Sequence, residues 1–355
     1  MKLFCKKNIA YTVIFSLAAL VFVLLCFPKS GETFEFLNRF FILVFGSVSA
    51  FIPFSVMTLL ICLIPLFLAF IVWRFIVNKR RYSLKRFFLR GGAVLCVIFV
   101  LFGLILGLGY RRESIYAKMD LPDFEVTDGD VVVAADFLID TLNDAALKVE
   151  FSDESRALVL PDGYDEQKIA SLVYEAFDKQ NFDFLYDFDF RYKKTFSGLL
   201  EILGFDGVVF PLTAEINIDG NVSAVNLCAL LAHELLHVNG VLNEGEANFL
   251  SQYICIFSGD PVLSYCGAYS AAMSALDYLY AADYKLYYDT LQNISDPYLR
   301  MRFDYYVRLN ANTQPSFFTK VANFFYDIYL KLNFMPGAEV YSEDVLGWAR
   351  FVSNI

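Results

Sequence analysis

Three apolar runs, residues 9–27, 55–73 and 91–109, limit what this chain can fold into more than any other feature. Each is about as long as a helix needs to be to cross a hydrocarbon core. In lipid, every backbone N–H and C=O must be satisfied within the segment, so each run is expected to be a membrane-spanning helix. The first follows Lys2, Lys6 and Lys7. Its length, and the lack of a small-residue cleavage site after it, favour an uncleaved helix over a signal peptide. Pro65 is a tolerated kink in the second. Residues 40–52 are apolar but short and stop at Pro53, which fits an interfacial or re-entrant piece better than a full span.

Charge divides the chain at the end of the third run. Residues 1–112 hold 14 Lys and Arg against 2 Asp and Glu; residues 113–355 hold 15 against 37. The 57% hydrophobic content is too high for an ordinary soluble protein. A basic, apolar first third and an acidic remainder read as a membrane anchor, residues 1–112, followed by a water-exposed domain, residues 113–355. The acidic domain argues against nucleic acid as a partner. Six basic residues lie between Lys79 and Arg90, on the same side of a three-span topology as the basic N-terminus. The positive-inside rule puts both in the cytoplasm and the second domain outside it, with Arg111 and Arg112 opposing mildly. The seven cysteines have no CxxC spacing and form no disulfide framework; Cys255 and Cys266 could pair in an oxidising compartment.

The second domain reads as mainly helical. Helices are expected from about Thr127, over 165–179, 262–280, 283–292, 297–311 and 315–333. Residues 148–160 fit either a loop or a short strand. From Val208 to Asp219 the sequence alternates, with Phe210, Leu212, Ala214, Ile216 and Ile218 on one face and Thr213, Glu215, Asn217 and Asp219 on the other. Pro211 points to an edge strand. Such a strand beside a catalytic helix can hold an extended peptide by main-chain pairing, which makes Thr213, Glu215 and Asn217 candidate substrate contacts. A solvated edge strand is the plainer alternative.

The chemistry concentrates in a helix expected over 223–239. It contains His233-Glu234-Leu235-Leu236-His237, and those two histidines are the only ones in the chain. One helical turn apart, they can present two imidazole nitrogens to one ion. Glu234 is placed to take a proton from water on that ion, as in zinc hydrolases. The helix is apolar nearly all round and is therefore expected to be buried. Two buried imidazoles and a carboxylate would be costly without a partner, which favours a bound Zn²⁺ over an accidental motif. A catalytic zinc wants a third protein ligand and an open position. The HExxHxxGxxH pattern would put a histidine at 243, where this chain has Asn243. Among the carboxylates that follow, Glu244 leads. Asn248, four residues on, shares its face and could orient a ligand. Glu246 points about 200° away from Glu244 on an ideal helix and is the alternative ligand. Tyr265 and Tyr269 could stabilise an oxyanion near the metal, although buried tyrosines more often pack with one satisfied hydroxyl.

Residues 210–217, 233–240 and 244–249 resemble a bacterial family of membrane proteins, domain-of-unknown-function family 3810. Tyr265 and Gly267, with Cys266 between them, residues 107–112, and Leu330, Lys331, Tyr341, Ser342 and Val345 also fit. The resemblance implies a membrane-tethered, zincin-like HExxH zinc metallopeptidase. Glu244 and Asn248 are also similar to the Glu-x-x-Ala-Asp of membrane-bound CAAX prenyl endopeptidases, where the Glu ligates zinc and the Asp supports a ligand; Asn248 lacks that Asp's charge. The expectation is therefore a mainly α protein: three transmembrane helices, then a helical zincin-like domain with a short edge strand. Its expected activity is zinc-dependent hydrolysis of peptide bonds in a peptide or protein substrate, at a multi-pass cell-membrane protein. A zinc-binding membrane sensor or transducer without turnover is the alternative.

Overall fold

A computed structural model shows the protein to be mainly helical, with few strands. The structure describes residues 2–27, 29–77, 83–153, 157–332 and 343–355. Much of the basic loop that carries the topology argument, residues 78–82, lies outside the described residues, as do Tyr341 and Ser342.

The chain forms two compact units. The first comprises residues 1–112 together with 190–196 and 209–217; the second comprises 113–189, 197–208 and 218–355. The charge pattern of the sequence changes at the same residue, Arg112. The return of two later segments to the first unit is not legible in that pattern.

The first unit contains α1 (Lys2–Cys26), α2 (Ser30–Thr33), α3 (Glu35–Ala50), α4 (Val56–Val77) and α5 (Leu84–Phe102). Among the described residues three stretches are long and apolar enough to cross a membrane: Ile9–Cys26, Val56–Arg74 and Phe87–Gly107. Residues 40–50 belong to α3, a 16-residue helix, and 51–52 lie in the turn that follows it. After Phe102 the third stretch loosens into a π-helical turn, Gly103–Gly107. Such a turn leaves carbonyls displaced from the regular ladder. The Asn38 side chain donates to two of them, Leu104 O at 3.0 Å and Ile105 O at 2.8 Å. Arg112 stands 3.4 Å from Glu35 and 3.9 Å from Glu32, so acidic partners hold the charge at the end of this stretch.

After Arg112 come α6 (Ile115–Lys118), α7 (Asp128–Ala146), β1 (Glu150–Phe151), β2 (Leu158–Val159), α8 (Glu166–Gln180), β3 (Lys193–Lys194), α9 (Leu199–Leu203), β4 (Gly207–Phe210) and β5 (Glu215–Ile218). Then follow α10 (Ala224–Val238), α11 (Glu244–Ile256), α12 (Pro261–Ala282), α13 (Tyr284–Leu291), α14 (Pro297–Asn312), α15 (Phe317–Leu332) and α16 (Glu343–Val352). Within 148–160, β1 and β2 pair antiparallel, Glu150 opposite Val159 and Phe151 opposite Leu158. The helix starts follow side-chain chemistry. Thr127 and Asp130 form a capping box on α7, and Asp165, Ser223 and Asn243 each cap the helix that follows with a side-chain oxygen.

The expected single strand over 208–219 is two strands. Residues 211–214 turn, with Ala214 at φ 52° and its N–H bonded to Phe210 O at 2.9 Å. Pro211 has no N–H with which to continue the ladder, and a left-handed residue reverses the chain. In the three-stranded sheet the order is β3-β5-β4. The edge position that Pro211 implied thus belongs to β4, while β5 is central and buried at all four positions.

The second unit's core is built on α7, α10, α11, α12 and α16. Trp348 of α16 is fully buried, and its indole N–H donates to Gln252 Oε1 at 2.7 Å. Gln252 Nε2 donates in turn to Asp344 Oδ2 at 3.1 Å. The C-terminal helix is thereby tied to α11, whose first residue is Glu244.

Candidate metal centre

The two histidines lie on α10, the helix capped by Ser223. It ends where His237 needs it to. Gly240 adopts φ 92°, Gly240 N–H bonds to His237 O at 3.2 Å, and Val241 N–H bonds to Leu236 O at 3.0 Å. This is a Schellman turn, and the positive φ is why glycine stands there. The turn swings the Val241 carbonyl back to His237, whose Nδ1 lies 2.8 Å from it. With the Nδ1 proton donated to that carbonyl, His237 Nε2 is left with a lone pair to offer. Asn239 fixes the same turn from the other side. Its amide donates to Phe188 O and Leu235 O, and its Oδ1 accepts from Phe188 N–H at 2.6 Å.

Asn243 caps α11, accepting from Glu246 N–H at 3.0 Å. Glu244 therefore occupies the first position of a helix, where the macrodipole favours a carboxylate. Its Oε2 lies 3.1 Å from His233 Nε2 and 3.4 Å from His237 Nε2. One donor atom from each of the three side chains falls within 4.8 Å of the other two. Tetrahedral zinc with bonds near 2.0–2.1 Å spaces its ligands roughly 3.3 Å apart. The donor set and its spacing thus fit such an ion. Among the described residues this is the one group of three or more His, Cys, Asp or Glu donors so arranged. Glu246, weighed as the alternative ligand, is not part of it.

All three side chains are buried, and their titration reflects each other. Burial and the neighbouring His237 push His233 below its ordinary value. For His237, burial acts downward but the Glu244 carboxylate prevails, and its value is pushed up to about 9. Burial acts upward on Glu244, yet His237 and the contacts from both imidazoles hold it well below the usual carboxylate range. Asn248 lies one turn after Glu244 on α11, and among the described residues His233 Nδ1 is buried with no hydrogen-bond partner.

Glu234 is buried at 3% exposure beside the cluster. The backbone at Gly207 runs directly over it: a Cβ there would stand 2.7 Å from Glu234 Oε1 and 3.0 Å from Leu230 Cδ1. Glycine at the start of β4 is what leaves the carboxylate its place.

The residue that sequence reasoning missed is Tyr326. Its hydroxyl donates to Glu244 Oε1, the oxygen not directed at the histidines, and its ring packs edge-on against Phe205 with centroids 5.9 Å apart. It sits on α15, far along the chain, and no local motif marks it.

Other expected site residues are placed elsewhere. Glu215 is not a solvent-facing substrate contact. It is buried at 2% exposure, accepts from Met57 N–H at 2.7 Å at the start of α4, and pairs with Lys193 at 2.8 Å. Asn217 is buried and donates to Glu215 O at 3.1 Å. Thr213 lies in the turn, not on a strand. Tyr265 and Tyr269 pack in an aromatic group with Phe151 and Phe303. Burial pushes the Tyr265 hydroxyl well above its ordinary value and that of Tyr269 up to about 12. They are packing residues of α12. Cys255 and Cys266 are free thiols, not a pair, and a neighbour of Cys266 is Cys228.

A family model described as "Protein of unknown function (DUF3810)" matches residues 34–346. The chain belongs to this family. The DUF3810 match takes in the second and third membrane-length stretches, the His233–His237–Glu244 cluster and Tyr326. No match was found among curated proteins or solved structures.

Proposed function

We propose that the protein is a membrane-bound, zinc-dependent metallopeptidase with a zincin-like catalytic domain. The observation that carries this reading is the convergence of His233 Nε2, His237 Nε2 and Glu244 Oε2 in a buried site with Glu234 beside them. Those three residues would hold the ion. A zinc ion so bound supplies Lewis acidity, lowering the pKa of water and polarising a carbonyl.

The protein's own residues do the rest. Glu234, adjacent to His233 on the same helix, takes a proton from the attacking water and returns it to the leaving amine. Val241 O holds His237 in the tautomer that directs Nε2 inward. Tyr326 donates to the outer oxygen of Glu244 and keeps its other oxygen turned to the histidines. The substrate is a peptide or protein. The N-terminal lysines and the basic residues between Lys79 and Arg90 support an extracytoplasmic address for the catalytic domain, and the acidic contacts of Arg112 remove part of the opposing charge.

The test uses the purified full chain. Elemental analysis is expected to find about one zinc per chain in wild type and in Glu234→Gln, and little in His237→Ala. Incubation with a proteome-derived peptide library, read by mass spectrometry, is expected to show cleavages in wild type that vanish in Glu234→Gln. Zinc below a few tenths of an equivalent in wild type, or cleavages that persist in Glu234→Gln, would overturn the proposal.

A further inference from the structure

Helix α15 wears its amphipathic pattern inside out. Phe317, Phe318, Val321, Phe324, Phe325 and Ile328 fall within an arc of about 120° at 3.6 residues per turn. All six are exposed, Phe317 at 73% and Phe325 at 64%. The opposite side of the helix seats it on the protein. Thr319 Oγ1 donates to Ile202 O at 3.2 Å, Tyr326 reaches Glu244 and Phe205, and Leu330 is fully buried. A helix on a water-facing surface turns its apolar stripe inward. This one turns it outward, so a partner that takes apolar side chains is missing from the picture.

We propose that this face of α15 lies in the interfacial region of a lipid bilayer. Phenylalanine-rich faces of amphipathic helices bury at the boundary between headgroups and acyl chains. Lys320 and Lys331 border the same face, where their stems can lie along apolar surface while the ammonium groups reach lipid phosphates. Lys331 is held by Asp327 at 2.6 Å, one turn back on the same edge. A bilayer is also at hand. The same chain carries three membrane-length apolar stretches, the third ends at Gly107, and the second unit begins at Glu113. A covalent tether this short makes lipid contact effectively intramolecular, so a face too weak to recruit a free protein suffices here. The proposal does not depend on the metal. It does add that the helix meeting lipid also carries the hydroxyl on a candidate metal ligand.

Tryptophan quenching in proteoliposomes tests it. The chain has two tryptophans, Trp73 and the fully buried Trp348. A Trp73→Phe background leaves Trp348 as an internal reference. Phe324→Trp and Phe318→Trp then place a reporter on the proposed lipid face, each in separate full-length proteins. In vesicles containing dibrominated phosphatidylcholine, each added tryptophan is expected to lose roughly half its emission or more, as an interfacial ring would. Trp348 alone should change little, and aqueous iodide should quench the reporters weakly. Reporters quenched by iodide but not by brominated lipid would overturn the proposal in favour of a solvated face. Protection from both quenchers would overturn it in favour of a protein partner or a second copy. The same lipid quenching is expected in a His237→Ala background, so loss of the zinc reading and loss of the lipid reading give different results.

Discussion

Tyr326 donates its hydroxyl to Glu244 across 82 positions of sequence, joining α15 to the first turn of α11. The bond uses Glu244 Oε1 and leaves Oε2 to face His233 and His237. Removing it with Tyr326→Phe keeps the ring that packs on Phe205 and deletes only the donor. Groups that orient a metal ligand typically contribute 10- to 100-fold in affinity or activity. A chelator competition on the full chain is expected to show zinc binding weakened by about 10-fold or more in Tyr326→Phe, with the circular dichroism spectrum unchanged. Unchanged zinc affinity would mean that Tyr326 does not hold Glu244.

Gly207 and Glu234 make a second checkable pair. A methyl group at 207 would sit 2.7 Å from Glu234 Oε1, so Gly207→Ala must push the carboxylate aside. The metal ligands come from other positions and should stay in place. The expected outcome is retained zinc and a fall in peptide cleavage of at least about 10²-fold, since a general base contributes 10²–10⁴. Equal loss of zinc and cleavage would show that the substitution disrupts the whole site instead.

The Schellman turn predicts a stability effect. At φ 92°, Gly240→Ala places a Cβ in left-handed backbone, at a cost of about 1–2 kcal/mol. In a domain of this size each kcal/mol lowers the melting temperature by roughly 2–4 °C. Thermal unfolding should show that shift. Zinc affinity should fall as well, because Val241 O reaches His237 only through this turn.

Asp344 should make stability fall as pH rises. Burial pushes its carboxyl up to about 6, against the opposing bond from Gln252. The folded state then holds the proton more tightly than the unfolded chain, whose carboxyl titrates near 3.9. No penalty exists below about pH 4; it grows as pH rises through about 6 and then levels off, reaching about 2–3 kcal/mol. Denaturant unfolding at pH 4.5 and pH 7.5 should show this loss. Asp344→Asn should flatten the profile, keeping a polar partner for Gln252 without the charge.

The residues legible in sequence were those whose geometry is local. His233 and His237 are one turn apart on one helix, so their convergence needs only 3.6 residues per turn. Glu244 follows His237 by only seven residues, close enough in sequence for the carboxylate to be singled out. The starts of α7, α8 and α10 were visible for the same reason. Alternation over 208–219 misled, because four residues of turn with Ala214 at positive φ interrupt it, and periodicity carries no information about that reversal. Glu215 looked like a solvent-facing position on that pattern. Its partners, Met57 N–H and Lys193, are distant in sequence, so nothing near it announces a buried ion pair.

By itself the sequence determined the three membrane-length helices, the helical character of the remainder, and the histidine pair with its glutamate. Each depends on hydrophobic period or on contacts within a helical turn or two. Tertiary structure alone decided three other things. It selected Tyr326 as the partner of Glu244. It placed Gly207 over Glu234. It left the apolar stripe of α15 facing outward. These depend on which distant segments meet, and the side-chain pattern of one segment does not encode its neighbours in space.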